Sequence, residues 1–383
     1  MKSTNFTRRT LVLATLATMA VGSTAFAEDL LVKIGFAGPL TGASGHQGVD
    51  QERGVRIALE EANAKQLKIN GNTVKFQIQS EDDQGDPKVA TGVAQRLVDS
   101  KVAAVIGHYG SGASIPASRI YGDAGIPQIS ASSSNPVLTS QGIKSVFRVI
   151  ISDDQMGQYA GSYVVKSLKA KRIVLIDNRT AYGQGAADEI GKAIKKEGGN
   201  IVMREFTSDK VVDFTSLLTA VKAANADAII FVGEDFQAAP MAKQIKALGL
   251  KAAFMPIGGL TNDTFIKMAG ESGEGTLSWD YGLPIENMPK GKEFDQKMKS
   301  KFGTGVIQFA PLAYDATWAV INAMVKANSA DPKKYLAAMK TNKFQGLSGP
   351  IEFTAKGDLK QAAATLYTLK GGQWKVLEVK YGQ

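Results

Sequence analysis

The residues best placed to do chemistry are hydroxyls and backbone amides gathered in one short loop. Val102 to Gly107 reads as a buried strand, His108 to Ser114 as a loop of small and hydroxylated residues, and Ile115-Pro116 as the opening of a helix. Ser111 and the N–H groups beside it then lie where free amides and the positive end of a helix dipole face an anion. A carboxylate or phosphate suits that geometry; an ordinary strand-to-helix turn that binds nothing fits the same residues. Three more polar loops follow strands: Ser130 with Ser132, Ser133 and Ser134; Asp177 to Gly183, which contains Tyr182; and Gly233-Glu234-Asp235-Phe236. Uncharged donors from one half of the chain, with Tyr182 and the acids from the other, make a cleft for a small zwitterion.

Covalent and metal chemistry find little support. No phosphate loop of the ATPase kind occurs, and Gly107, Gly110 and Gly112 miss the Gly-x-Gly-x-x-Gly spacing. A nucleophile elbow needs glycines two residues either side of the serine, where Ser111 has Tyr109 and Ala113. His46 and His108 are the only histidines and there is no Cys, so a metal site would have to be all carboxylate. Asp82-Asp83-Gln84-Gly85-Asp86 is part of a calcium loop without its closing glutamate, and reads instead as a strand exit with a helix cap. Neither metal nor cofactor is expected. A secreted hydrolase using Ser111 is the distant alternative, weakened by the absence of histidine from the second half.

Stepping outward, the N-terminus carries an address. Lys2, Arg8 and Arg9 precede an apolar run from Leu11 to Val21, and Ala25-Phe26-Ala27 supplies small residues for a signal peptidase, so residues 1–27 read as a secretory signal cut after Ala27. Arg8-Arg9 also has a faint twin-arginine character, although the general route is favoured. Removal leaves about 350 residues, comfortable for two domains. With no Cys there is neither a disulfide nor a lipidated anchor, which suits a freely diffusing periplasmic protein. The net charge of +9 falls to about +6 without the signal, and its lysines are dispersed among apolar positions, which argues against nucleic acid as a partner.

Strand-like and helix-like patterns alternate, as in a doubly wound parallel α/β protein. Strands are expected at 31–37, 73–80, 102–106, 127–130 and 146–149, with helices at 51–64, 87–98 and 115–121. The pattern restarts after Asp153 to Gly157, with helices at 158–168, 186–196, 214–224, 238–248 and 263–268, and strands at 172–176, 200–206, 228–232 and 253–256. Helices at 293–302, 313–327 and 331–339 and strands at 351–353, 363–369 and 376–379 follow, the last two joined by a Gly371-Gly372 hairpin turn. This tail reads as shared between two lobes, one of residues 28–150 with about 282–357, the other of 151–281 with about 358–383.

Ile34 to Gly42, Asp82 to Pro87, Gly107 to Ser118, Ile129 to Pro136, Asp177 to Gly185, Asp235 to Met241 and Phe254-Met255 together resemble the periplasmic Leu/Ile/Val-binding proteins. These are the type I solute receptors of branched-chain amino-acid ABC transporters. The resemblance implies a monomeric receptor that closes on a small ligand and presents it to an inner-membrane permease. It implies that the Ser111 hydroxyl and N–H groups near Ala113 and Ser134 hold a carboxylate. The Ser132 carbonyl would take an ammonium, and Tyr182 would close from the second lobe. The chain departs from the pattern in three places. Gly258 stands where relatives carry the acid that pairs the ammonium, leaving Asp235, or else Glu234, to replace it. Gln47 stands where relatives have an aromatic lid, with Tyr109, Phe236, Trp279 and Tyr281 as alternative walls. Gly85 and Gly110 stand where a disulfide would be. A ligand without an ammonium, such as an aromatic carboxylate, is the nearer alternative.

Overall fold

The computed structural model describes residues 29–382, so the signal segment lies outside the described residues. The first sheet has six strands: β1 (Leu30–Gly38), β2 (Lys68–Ile69), β3 (Asn72–Asp82), β4 (Ala104–Gly107), β5 (Gln128–Ser130) and β6 (Val146–Arg148). Their order is β2-β3-β1-β4-β5-β6, parallel apart from the short β2–β3 hairpin. A second sheet orders β7 (Ile173–Asp177), β8 (Ile201–Phe206), β9 (Ala228–Val232) and β10 (Ala253–Ile257) as β10-β9-β7-β8, all parallel. The α/β class with parallel sheets is as the alternation predicts.

Parallel sheets need cover on both faces, and their strands are accordingly apolar throughout: β7 and β9 are buried at every residue. The covering helices are α1 (Gly45–Ala64), α2 (Pro87–Asp99), α3 (Ser111–Asp123), α4 (Val137–Ser140), α5 (Asp153–Ser162), α6 (Ala181–Lys196), α7 (Thr215–Ala223), α8 (Asp235–Ala247) and α9 (Asp263–Ala269). Each large apolar side chain taken from water contributes about 1.5–3 kcal/mol, so cores built on Ile34, Phe36 and Ile106, and on Ile176, Ile229 and Phe231, carry the two sheets.

The tail is divided between the sheets. Helices α10 (Gly291–Phe302), α11 (Ala310–Lys326) and α12 (Pro332–Lys340) lie with the first: α11 packs along α1, and the Tyr335 hydroxyl on α12 donates to the Ala103 carbonyl at 2.5 Å. Strand β11 (Leu277–Tyr281), absent from the periodicity reading, lies against β10. After the β12 (Lys343–Gln345) and β13 (Pro350–Glu352) hairpin, β14 (Ala363–Lys370) pairs antiparallel with β11 on one side and β15 (Gln373–Tyr381) on the other. Gly371 and Gly372 both take positive φ, as a tight two-residue turn demands.

Six helices begin three or more residues earlier than hydrophobic periodicity predicts. α1 starts at Gly45, α3 at Ser111, α5 at Asp153, α6 at Ala181, α8 at Asp235 and α11 at Ala310, in place of 51, 115, 158, 186, 238 and 313. The first turns of α1, α3, α5, α6 and α8 carry Ser, Gly, Tyr, Asp and Gln, which break the apolar stripe; that of α11 is Ala-Pro-Leu-Ala and follows Phe309 at the cavity.

Candidate functional site

Strand order reverses between β1 and β4 in the first sheet and between β7 and β9 in the second, and such switch points open a crevice at the carboxyl ends of the strands. The two crevices face each other. A narrow cavity of about 30 Å³ lies between them, lined by Tyr109, Gly110, Ser111, Ser132, Tyr182, Glu234, Gly258, Tyr281 and Phe309.

From the first lobe, Ser111 is the first residue of α3, after Gly110 as its N-cap. Its buried hydroxyl accepts the Asn135 N–H at 3.3 Å. The first-turn amides of a helix have no partner within it and are available to an anion. The Ala113 N–H, expected to help, is already donated to the Gly110 carbonyl at 3.0 Å. Ser132 is fixed by two bonds: its hydroxyl accepts from Gln51 Nε2 at 2.8 Å and donates to the Tyr109 carbonyl at 2.8 Å. Ser134 touches Tyr281 Oη at 3.3 Å without lining the cavity.

From the second lobe, the Tyr182 hydroxyl donates to the Ile257 carbonyl at 3.0 Å. Glu234 ends the loop after β9 and accepts the Tyr109 hydroxyl across the cleft at 2.9 Å. Burial pushes its carboxyl up to about 7, helped by the neighbouring Asp235 charge and opposed by the Tyr109 bond. Asp235, the acid favoured from sequence, is turned away: it meets His46 Nε2 at 2.8 Å and Asn262 Nδ2 at 3.1 Å. Glu234 is therefore the acid on the cavity wall, because it is the N-cap of α8, whose first turn takes Asp235 outward.

Gln47 also lies outside the cavity, donating across the cleft to the Gly259 carbonyl at 3.0 Å. Gly258 has φ +143°, and a Cβ there would sit 2.0 Å from the Gly233 carbonyl oxygen, so no side chain fits this backbone. Trp279 is core, packed on Tyr159 with ring centroids 5.7 Å apart, and Phe236 does not line the cavity.

Sequence reasoning missed Phe309, whose ring meets Tyr109 edge-on at 5.8 Å. Asp50 on α1 positions it by accepting the N–H groups of Ile307, Gln308 and Ala310 at 2.8–3.0 Å. It missed Arg148 as well, a fully buried guanidinium that donates to the carbonyls of Ser133, Ser134 and Asn135 and pairs with Asp358 at 2.7 Å. His108 is structural, held between Asp83 at 2.6 Å and Tyr121 at 3.0 Å.

The cavity is lined from both switch points, and residues 31–373 match the family model described as periplasmic binding protein. The chain belongs to the periplasmic binding protein family. It is 35% identical to an amino acid binding protein of Pseudomonas aeruginosa, over 94% of this chain and 96% of that one. It is 33% identical to that organism's leucine-, isoleucine-, valine-, threonine-, and alanine-binding protein, over 92% and 94%. A branched-chain amino acid transporter substrate binding protein of Streptococcus pneumoniae, solved with isoleucine, superposes with a TM-score of 0.80 at 29% identity, covering 92% of this chain and 99% of that one. Members of this family are solute-binding receptors. No helix among the described residues is long and apolar enough to cross a membrane, and no group of three or more His, Cys, Asp or Glu there could hold a metal ion.

Proposed function

We propose that this receptor captures a small amino acid, of branched-chain or other apolar type, and delivers it to an inner-membrane ABC permease. The carrying observation is the cavity itself, with Ser111 and Ser132 from one lobe and Tyr182 and Glu234 from the other. The Ser111 hydroxyl and the first-turn amides of α3 take the carboxylate. The Ser132 carbonyl and Glu234 take the ammonium, Glu234 standing in for the acid that Gly258 has no room to carry. The aromatic faces of Tyr109, Tyr281 and Phe309 cover the side chain. The names of the relatives support an amino-acid ligand.

The protein works as a periplasmic monomer, cleaved after Ala27. Its lobes are residues 28–150 with about 282–357, and 151–281 with about 358–383. Contacts from both lobes are required, since a ligand favours closure only by as much as it binds the closed form better. Titration calorimetry with leucine and with benzoate tests the reading. Leucine binding that is lost in Glu234→Gln supports it; benzoate binding without leucine binding replaces it with a receptor for ammonium-free carboxylates. Chemical identification of whatever small molecule copurifies gives an independent answer.

A further inference from the structure

One buried acid beside the cavity has no part in the site as described. Asp153 opens α5, where the chain passes from the first lobe to the second. Its N–H is donated to the Ser134 carbonyl at 2.9 Å, and Oδ1 accepts the Tyr281 hydroxyl at 3.1 Å. Oδ2 is buried and has no hydrogen-bond partner. Burial pushes its pKa up to about 7, against the Ser134 hydroxyl, the Arg148 charge and the Tyr281 bond, which offset that cost only in part.

The groups around it form a relay into the cavity. Tyr281 Oη lies 3.2 Å from Tyr182 Oη, and both residues line the cavity wall. Tyr182 spends its proton on the Ile257 carbonyl, so Tyr281 has one proton to give and Asp153 is its strongest acceptor. Donating to Asp153 leaves the Tyr281 oxygen as an acceptor. Tyr182 Oη is also 3.1 Å from the point where a Cβ at position 258 would stand. The relay thus occupies the flank toward which an acid at 258 would project.

We propose that Asp153, acting through Tyr281, is a positioning residue that makes the cavity select a cationic group on its ligand. It orients the Tyr281 lone pairs toward the ammonium, and its own charge is stabilised once that cation arrives. Ser134 from one lobe and Tyr182 from the other meet Tyr281 together, so the selection is coupled to closure. This rests on the amino-acid reading above.

The test compares leucine with 4-methylpentanoate, the same skeleton without its amino group, by calorimetry on the full chain. Wild type, Asp153→Asn, Tyr281→Phe and Glu234→Gln are titrated with both, alongside thermal melts. The preference for leucine is expected to fall about tenfold or more in Asp153→Asn and Tyr281→Phe, while 4-methylpentanoate affinity stays within about threefold of wild type. An unchanged preference in both variants, or equal weakening of both ligands, overturns the proposal and leaves the amino-acid reading standing. A wild type that binds 4-methylpentanoate but not leucine overturns that reading itself. Should Asp153→Asn fail to fold, Tyr281→Phe, which keeps the ring, carries the comparison.

Discussion

At position 258 the missing acid is a matter of space. The Gly233 carbonyl occupies the place of a Cβ, and the backbone lies in the region reserved for glycine, so the site could acquire its carboxylate only from a neighbouring strand. Glu234, one residue past Gly233 on the loop after β9, is that neighbour. Gly258→Glu is expected to destabilise the fold by about 2 kcal/mol or more and to bring no gain in leucine affinity, checked by urea unfolding and calorimetry. On the proposed reading Ser111→Ala removes a hydroxyl that bonds the ligand carboxylate, with an expected loss of about 1.5–3 kcal/mol, or roughly 10- to 100-fold in Kd. Its melting temperature should fall by a few degrees, because the buried Asn135 N–H loses its acceptor.

At the scale of elements, the loop from Ser132 to Asn135 owes its shape to an arginine that never touches the cavity. Arg148, at the end of β6, threads three consecutive carbonyls and is neutralised by Asp358 from the returning tail. Arg148→Met takes the guanidinium from three buried carbonyls, of which those of Ser134 and Asn135 keep a backbone N–H, and leaves the Asp358 carboxylate without its counter-charge, held by the Thr139 hydroxyl. A destabilisation of about 3–5 kcal/mol is expected in urea, with weaker ligand binding in whatever remains folded. The helices were legible from their apolar stripes, but their first turns were not. Ser111, Tyr182 and Asp235 sit on helix N-termini where polarity serves the cleft, so hydrophobic periodicity begins three to five residues too late. Strand β11 escaped notice because Trp279 and Tyr281 read as isolated aromatics, and only their pairing with β14 makes them a strand.

For the whole molecule, the lobes are pinned by His46–Asp235, Gln47–Gly259, Tyr109–Glu234 and Asn135–Ala181. Burial opposes charging His46, but the hydrogen bond and charge of Asp235, with Glu234 behind them, outweigh it and raise its pKa above 6.5. A group whose pKa is raised on closure lends its full stabilisation below its open-state pKa and loses it as pH rises through the closed-state value. Glu234, pushed up to about 7, acts in the same direction, since it must lose its proton in a buried place. The compact fraction of ligand-free protein is therefore expected to fall as pH rises from roughly 4.5 through about 7, with His46 continuing the trend above 6.5, read as an increase in radius of gyration by small-angle scattering. His46→Gln should flatten that profile; a compact fraction that rises with pH would contradict it.

The alternation of apolar strands and amphipathic helices, the turn glycines and the hydroxylated strand exits determined the class of fold and the loops that meet a ligand, because burial and turn geometry are local demands that each stretch of chain must meet by itself. Which acid faces the cavity was decided only in three dimensions. Glu234 and Asp235 are adjacent in sequence, and a single helical turn sends one to the cavity and the other to His46. Phe309 lies far along the chain from the motif loops, and only the return of the chain to the first lobe sets it against Tyr109; Arg148 and Asp153 follow the Ser134 loop more closely in sequence, and β6 and the start of α5 fold them back onto it.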